Sequence, residues 1–196
     1  MKSTFRDLRA DEIDCRIAMV KANGVSLLLY KDARCDMNIL DETVGPYNWQ
    51  RTHSRDNANC TVSLWDDEKK QWISKEDTGT ESNTEAEKGL ASDSFKRACF
   101  NWGIGRELYT APFIWIDASC CNLTNGKCYD KFAVADIKIE DKKIVYLKIV
   151  NTSKKGAVVF ETGKSVKATA TPKAQPKQEV NSTVAEALGG LPFDIM

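Results

Sequence analysis

The sequence predicts an α+β fold: an antiparallel β-meander packed on a central helix, with a further β-hairpin region and a disordered C-terminal tail. Three observations carry this. Between residues 48 and 76 three short segments suited to strands are separated by turn-forming runs. Between residues 84 and 102 apolar residues recur at helical spacing. Beyond Ser165 the chain is rich in Lys, Ala, Thr, Gln and Pro, with almost no large apolar residue before Val180, and such a composition cannot bury enough surface to order itself.

The elements follow in order. In residues 5–19, Ile13, Ile17 and Val20 have helical spacing, which predicts a short helix. Asn23-Gly24 forms a turn, and the apolar run Val25 to Tyr30, interrupted only by Ser26, reads as a buried strand. Asp32 to Thr43 reads as an amphipathic helix, with Met37, Leu40 and Val44 three and four residues apart and Gly45-Pro46 as its stop. Asn48 to Ser54, Asn59 to Trp65 and Gln71 to Glu76 make the meander, the last two joined by the charged loop 66–70. The central helix, about Thr84 to Trp102, opens on a capping box at Thr84-Glu85-Ala86-Glu87. Its apolar stripe is Ala91, Phe95, Ala98 and Trp102, and Gly103-Ile104-Gly105 ends it. Residues 113–116 are extended, and 117–130 form a loop containing Cys, Asn and Gly. Phe132 to Ile139, Ile144 to Val150 and Ala157 to Thr162 are strands. The predicted domain therefore covers 1–162, and 163–196 form a tail with an apolar tip.

The chain has 196 residues, enough for one domain and a tail, and 42% are hydrophobic, enough for a core. All five Trp precede residue 120, which locates that core. The 28 basic and 28 acidic residues balance, which counts against an extended, nonspecific basic coat. If the partner is a nucleic acid, the positive charge must be concentrated in a groove or brought together by oligomerisation. The N-terminal residues carry no apolar signal segment, and no apolar run approaches membrane-spanning length, which predicts a cytoplasmic protein with reduced thiols and no membrane contact.

Catalytic signatures are sparse. His53 is the only histidine, so a multi-His metal site or a His-dependent triad would rest on one residue. Gly163-Lys164-Ser165 resembles the end of a phosphate loop, but Val158 stands where the first glycine belongs, and no strand-to-helix turn is expected there. Cys120, Cys121 and Cys128 contain no CxxC pair, and adjacent cysteines suit tetrahedral coordination poorly. Glu76, Asp77, Glu81, Glu85 and Glu87 could hold Mg²⁺ in a nuclease, yet Glu85 and Glu87 also suit a helix N-terminus, where carboxylates offset the orphan amides. No cofactor is expected. On the central helix, residues advance about 100° each, so Arg97 lies opposite Phe95 and Lys96 on the flank. This basic pair leaves the apolar stripe and could face a phosphate backbone, although two basic residues also make an ordinary solvated face.

A resemblance strengthens the first of these readings. Tyr30-Lys31-Asp32-Ala33-Arg34 through Leu40-Asp41-Glu42, then Val44-Gly45-Pro46-Tyr47-Asn48-Trp49, resembles the strand–helix–Gly–Trp segment of the Rad-fifty-two-like single-strand annealing superfamily. Glu76-Asp77-Thr78-Gly79 resembles its acidic-Gly strand end. Glu85-Ala86-Glu87-Lys88-Gly89, Ser92 to Ala98 and Trp102-Gly103-Ile104-Gly105-Arg106 resemble its central helix and following turn. The resemblance spans about residues 12–110 and extends more loosely to 162. It implies a phage- or prophage-encoded protein, acting in the cytoplasm of a bacterial host in homologous recombination and double-strand break repair. It implies rings or helical filaments of identical subunits that bind single-stranded DNA and anneal complementary strands without ATP. It assigns Arg16, Lys96 and Arg97 to the groove, with Tyr30 as its aromatic residue. Cys35 and Phe100 stand where eukaryotic members carry basic residues, and Arg34 and Arg106 are the candidate substitutes.

Two alternatives remain at this point: a mediator that loads another recombinase, and a metal-dependent nuclease using Asp77, Glu81 and Glu85. In the tail, Leu191-Pro192-Phe193 resembles the tip of bacterial single-strand-binding-protein tails, although three residues follow the Phe here. It implies docking to a host single-strand-binding or recombination partner.

Overall fold

The computed structural model describes residues 4–80 and 86–163. Two helices and eleven strands in antiparallel sheets form the α+β arrangement. The expected helix stop holds: α1, Ala33–Val44, ends at Gly45, whose φ of 85° suits glycine. At its start the Asp32 carboxylate accepts the Arg34 backbone N–H. Cys35, Asp36, Ile39, Leu40 and Val44 form its buried side.

The meander is β3 (Trp49–Ser54), β4 (Asn59–Asp66) and β5 (Gln71–Thr78), with β4 in the middle. Val62 lies between Arg51 and Lys75, and Cys60, Val62 and Leu64 are buried on one face. The second helix, α2 (Ala86–Asn101), packs on β4 and β5 through the fully buried Phe95, Ala98 and Cys99. Trp49 stacks on Phe95 at 6.1 Å, and the Trp102 indole N–H donates to the Val62 carbonyl at 3.0 Å. Gly79 allows the end of β5 to approach α2, because a Cβ there would meet the Ser94 backbone nitrogen at 2.6 Å. The capping box at Thr84–Glu87 lies outside the residues whose side chains are described.

A second, six-stranded sheet runs β11-β10-β9-β1-β2-β6. Its members are β1 (Asp14–Lys21), β2 (Gly24–Tyr30), β6 (Ile114–Asp117), β9 (Phe132–Glu140), β10 (Lys143–Asn151) and β11 (Ala157–Gly163). Of the helix expected in residues 5–19 only a single 3-10 turn, Ala10–Glu12, is present, and β1 occupies the second half of the segment. The physical reason is a β-bulge between Ile17 and Met19. The bulge shifts the alternation by one residue, so Cys15, Ile17 and Val20 fall on one half-buried face. Strand plus bulge reproduces the four-then-three spacing of a helix. The predicted loop 117–130 contains a small hairpin, β7 (Leu123–Thr124) and β8 (Lys127–Cys128), turning at Asn125-Gly126.

One apolar cluster joins the two sheets and both helices, including Val25, Ile39, Val62, Phe95, Ile104, Ile116 and Ile149. Among the described residues, no helix is long and apolar enough to cross a membrane. The tail beyond residue 163, with its apolar tip and Lys164-Ser165, lies outside the described residues.

Candidate nucleic-acid interface

Pairing of β1 with β2 places Arg16 opposite Leu28 and Asp14 opposite Tyr30. Residues opposite one another share a sheet face, so Arg16, Leu28 and Tyr30 project together. Leu28 is 49% exposed and Tyr30 40%, so the strand read as wholly buried is buried only through Leu27. Its far half opens onto a pocket of about 460 Å³. The opposite wall is Asp93, Lys96, Arg97 and Phe100 from α2, with Leu108 and Tyr109 from the turn that follows.

Four of the six residues expected to contact DNA therefore line one pocket: Arg16, Tyr30, Lys96 and Arg97. Among the described residues, neither Arg16 nor Lys96 forms a direct ion pair with an acid, although Lys96 lies close enough to Asp32 and Asp36 to favour both carboxylates. Arg97 Nε approaches Asp77 Oδ1 at 3.3 Å, so its charge is partly shared. Asp93 accepts the Thr80 backbone N–H at 2.9 Å. Partial burial raises the Tyr30 hydroxyl above its ordinary pKa of 10.0, so it remains a hydrogen-bond donor at neutral pH.

Arg34 and Arg106 are not on this pocket. The Arg34 guanidinium grips Asp32, with Nη2 at 2.7 Å, and this charged hydrogen bond holds the Asp32 carboxyl below its usual range. Arg106 donates to the carbonyls of Phe100 and Asn101 and lies over the Phe100 ring, 5.5 Å from its centroid. Each local partner was close in sequence, but nothing in the residue pattern marked the arginine as already engaged.

The floor of the pocket was not anticipated. Lys31, 7% exposed, forms a buried ion pair with Asp36, which is fully buried on α1. Burial pushes the Asp36 carboxyl up to about 6, against the opposing pull of Lys31. Gly105, with φ of 72°, leaves room for the lysine: a Cβ there would meet Lys31 Cε at 2.3 Å. An acid three and four residues before Ile39 and Leu40 lies on the buried side of α1, which is the signal that could have exposed this pair. Phe100 and Tyr109 were also missed as pocket residues. Their rings meet at 4.7 Å with an interplanar angle of 56°.

The nuclease set is not assembled by what is described. Asp77 is engaged by Arg97 and by the Asn101 amide at 3.3 Å, while Glu81 and Glu85 lie outside the described residues. Among the described residues, no group of three or more His, Cys, Asp or Glu is placed to hold a metal ion. His53 sits on β3 opposite Cys60 with Ser94 Oγ at 3.5 Å, whereas Cys120, Cys121 and Cys128 belong to the segment after β6. Partial burial lowers the His53 pKa below 6.5, and burial raises the Cys121 thiol to about 11. Both effects favour neutral side chains at pH 7.

Comparison with family models, with curated proteins and with solved structures found no match to this chain.

Proposed function

We propose that this protein binds single-stranded DNA through the Arg16–Lys96–Arg97 pocket and anneals complementary strands without nucleotide or metal cofactors. The observation that carries this reading is the convergence of three cations from two separate elements, β1 and α2, on one pocket of a chain with no net charge. Lys31 adds no net charge to that wall because Asp36 lies against it. A phosphate backbone is the ligand such a wall suits, since its contacts are electrostatic and independent of sequence. Annealing requires this arrangement, because the backbone is held while the bases stay free to pair.

A few cations per protomer bind weakly alone. Side-by-side protomers would let one strand engage several pockets at high effective concentration, so the working form is a homo-oligomer, a ring or helical filament. The experiment is a length series of oligo-dT measured by fluorescence anisotropy beside sedimentation of the protein. Affinity should rise steeply with length until the strand fills the assembly, and annealing should persist in EDTA without ATP. A monomer that binds short and long strands equally would overturn the oligomeric groove. Cleavage of the strand in Mg²⁺ would favour the nuclease reading instead, and tight binding with poor annealing the mediator reading.

A further inference from the structure

The pocket has a second character besides its charge. Leu28 and Tyr30 on one wall face a wall that includes Phe100 and Tyr109, and Tyr109 is 75% exposed. Singly scattered exposed apolar side chains are ordinary. Here three of them, Leu28, Tyr30 and Tyr109, line one pocket with the half-buried Phe100, beside three cations. The Phe100 ring is already packed at a tilt against Tyr109 and covered by the Arg106 guanidinium, which leaves Tyr109 as the outlying flat surface. A volume near 460 Å³ falls within the roughly 300–1,000 Å³ range of small-ligand sites.

Resting on the DNA reading above, we propose that this pocket seats a nucleobase of the bound strand, stacked against Tyr109 and the apolar wall, with its Watson–Crick edge left outward. Stacking uses the face of the base, so it is compatible with pairing to a second strand. The pocket wall carries no Asn or Gln to read a base edge, and its one carboxylate, Asp93, is tethered through Oδ2 to the Thr80 backbone N–H and hydroxyl. The seat therefore accepts any base, because every base has a π-face. It also separates single strands from duplex, whose bases are already stacked on one another.

The test compares oligo-dT with an abasic strand of equal length and charge, by fluorescence anisotropy at fixed salt. The proteins are the unaltered full chain, Tyr109→Ala, Tyr109→Phe and Lys96→Ala. Stacking is worth about 1–3 kcal/mol per base, so the unaltered protein should bind the abasic strand about 5- to 150-fold more weakly per seated base. Tyr109→Ala should lose affinity for oligo-dT and leave abasic binding unchanged, and Tyr109→Phe should retain both. Lys96→Ala should weaken both strands alike. Equal binding of the two strands, or a Tyr109→Ala loss shared by both, would overturn the base seat while leaving the DNA reading intact. If the unaltered protein bound neither strand, the DNA reading itself would fall, and the seat with it.

Discussion

Removal of Lys96 gives the most direct measure of the proposed groove, because among the described residues it forms no direct ion pair and feels Asp32 and Asp36 only at longer range. On a single strand, each neutralised phosphate contributes about 0.7 to the slope of log affinity against log salt. With Arg16, Lys96 and Arg97 each making one contact per protomer, the slope is about −2.1, and raising salt from 50 to 200 mM weakens binding about 18-fold. Lys96→Ala should reduce the slope to about −1.4 and that loss to about 7-fold. Arg97→Ala removes a charge already shared with Asp77 and leaves that carboxylate without its arginine beside the pocket, so its effect on affinity should be at least as large. The assay is anisotropy with an oligonucleotide short enough for one protomer, titrated across salt. Circular dichroism should show an unchanged fold, since Lys96 is only half-buried and lies outside the Phe95–Ala98–Cys99 contact. Lys127→Ala, on exposed β8, is the control that should keep the slope. An unchanged slope for Lys96→Ala would refute the assignment of this wall to phosphate.

Four further outcomes follow from the scaffold. Lys31→Met should destabilise the fold by about 3–5 kcal/mol in urea titration, because it strands a buried carboxylate, and Lys31→Met/Asp36→Leu should recover most of that loss. Folding raises the Asp36 carboxyl from 3.8 to about 6, so the folded state holds this proton more tightly. The associated stability is present below about pH 3.8 and lost as pH rises through about 6. The same double variant should remove this segment of a stability–pH profile. Gly105→Ala should cost at least the roughly 1–2 kcal/mol of a left-handed backbone, with added loss from displacing Lys31. Trp102→Phe deprives the Val62 carbonyl of its indole donor and should cost about 1–3 kcal/mol by thermal or urea unfolding.

By itself the sequence determined the elements whose signals are local. Gly45 stops α1, alternation at Cys60, Val62 and Leu64 marks the central meander strand, and the Phe95–Ala98 spacing marks the buried side of α2. Each depends on residues a few positions apart. The convergence of Arg16, Tyr30, Lys96 and Arg97 came from the resemblance, and the structure brings these four to one pocket. Only the tertiary structure decided three other matters. Residues 14–21 form a strand because β2 offers a pairing edge and a bulge absorbs the helical spacing, and no local pattern distinguishes that from a helix. Arg34 and Arg106 lie off the pocket, engaged by Asp32 and by the α2 carbonyls, and charge count carries no information about partners. Lys31 becomes a neutralised floor and Phe100 and Tyr109 become a wall because the chain returns past Gly105 to β2, about 75 residues away in sequence. A pocket is a property of surfaces brought together by such returns, and the free energy that closes them comes from burial shared across the whole core.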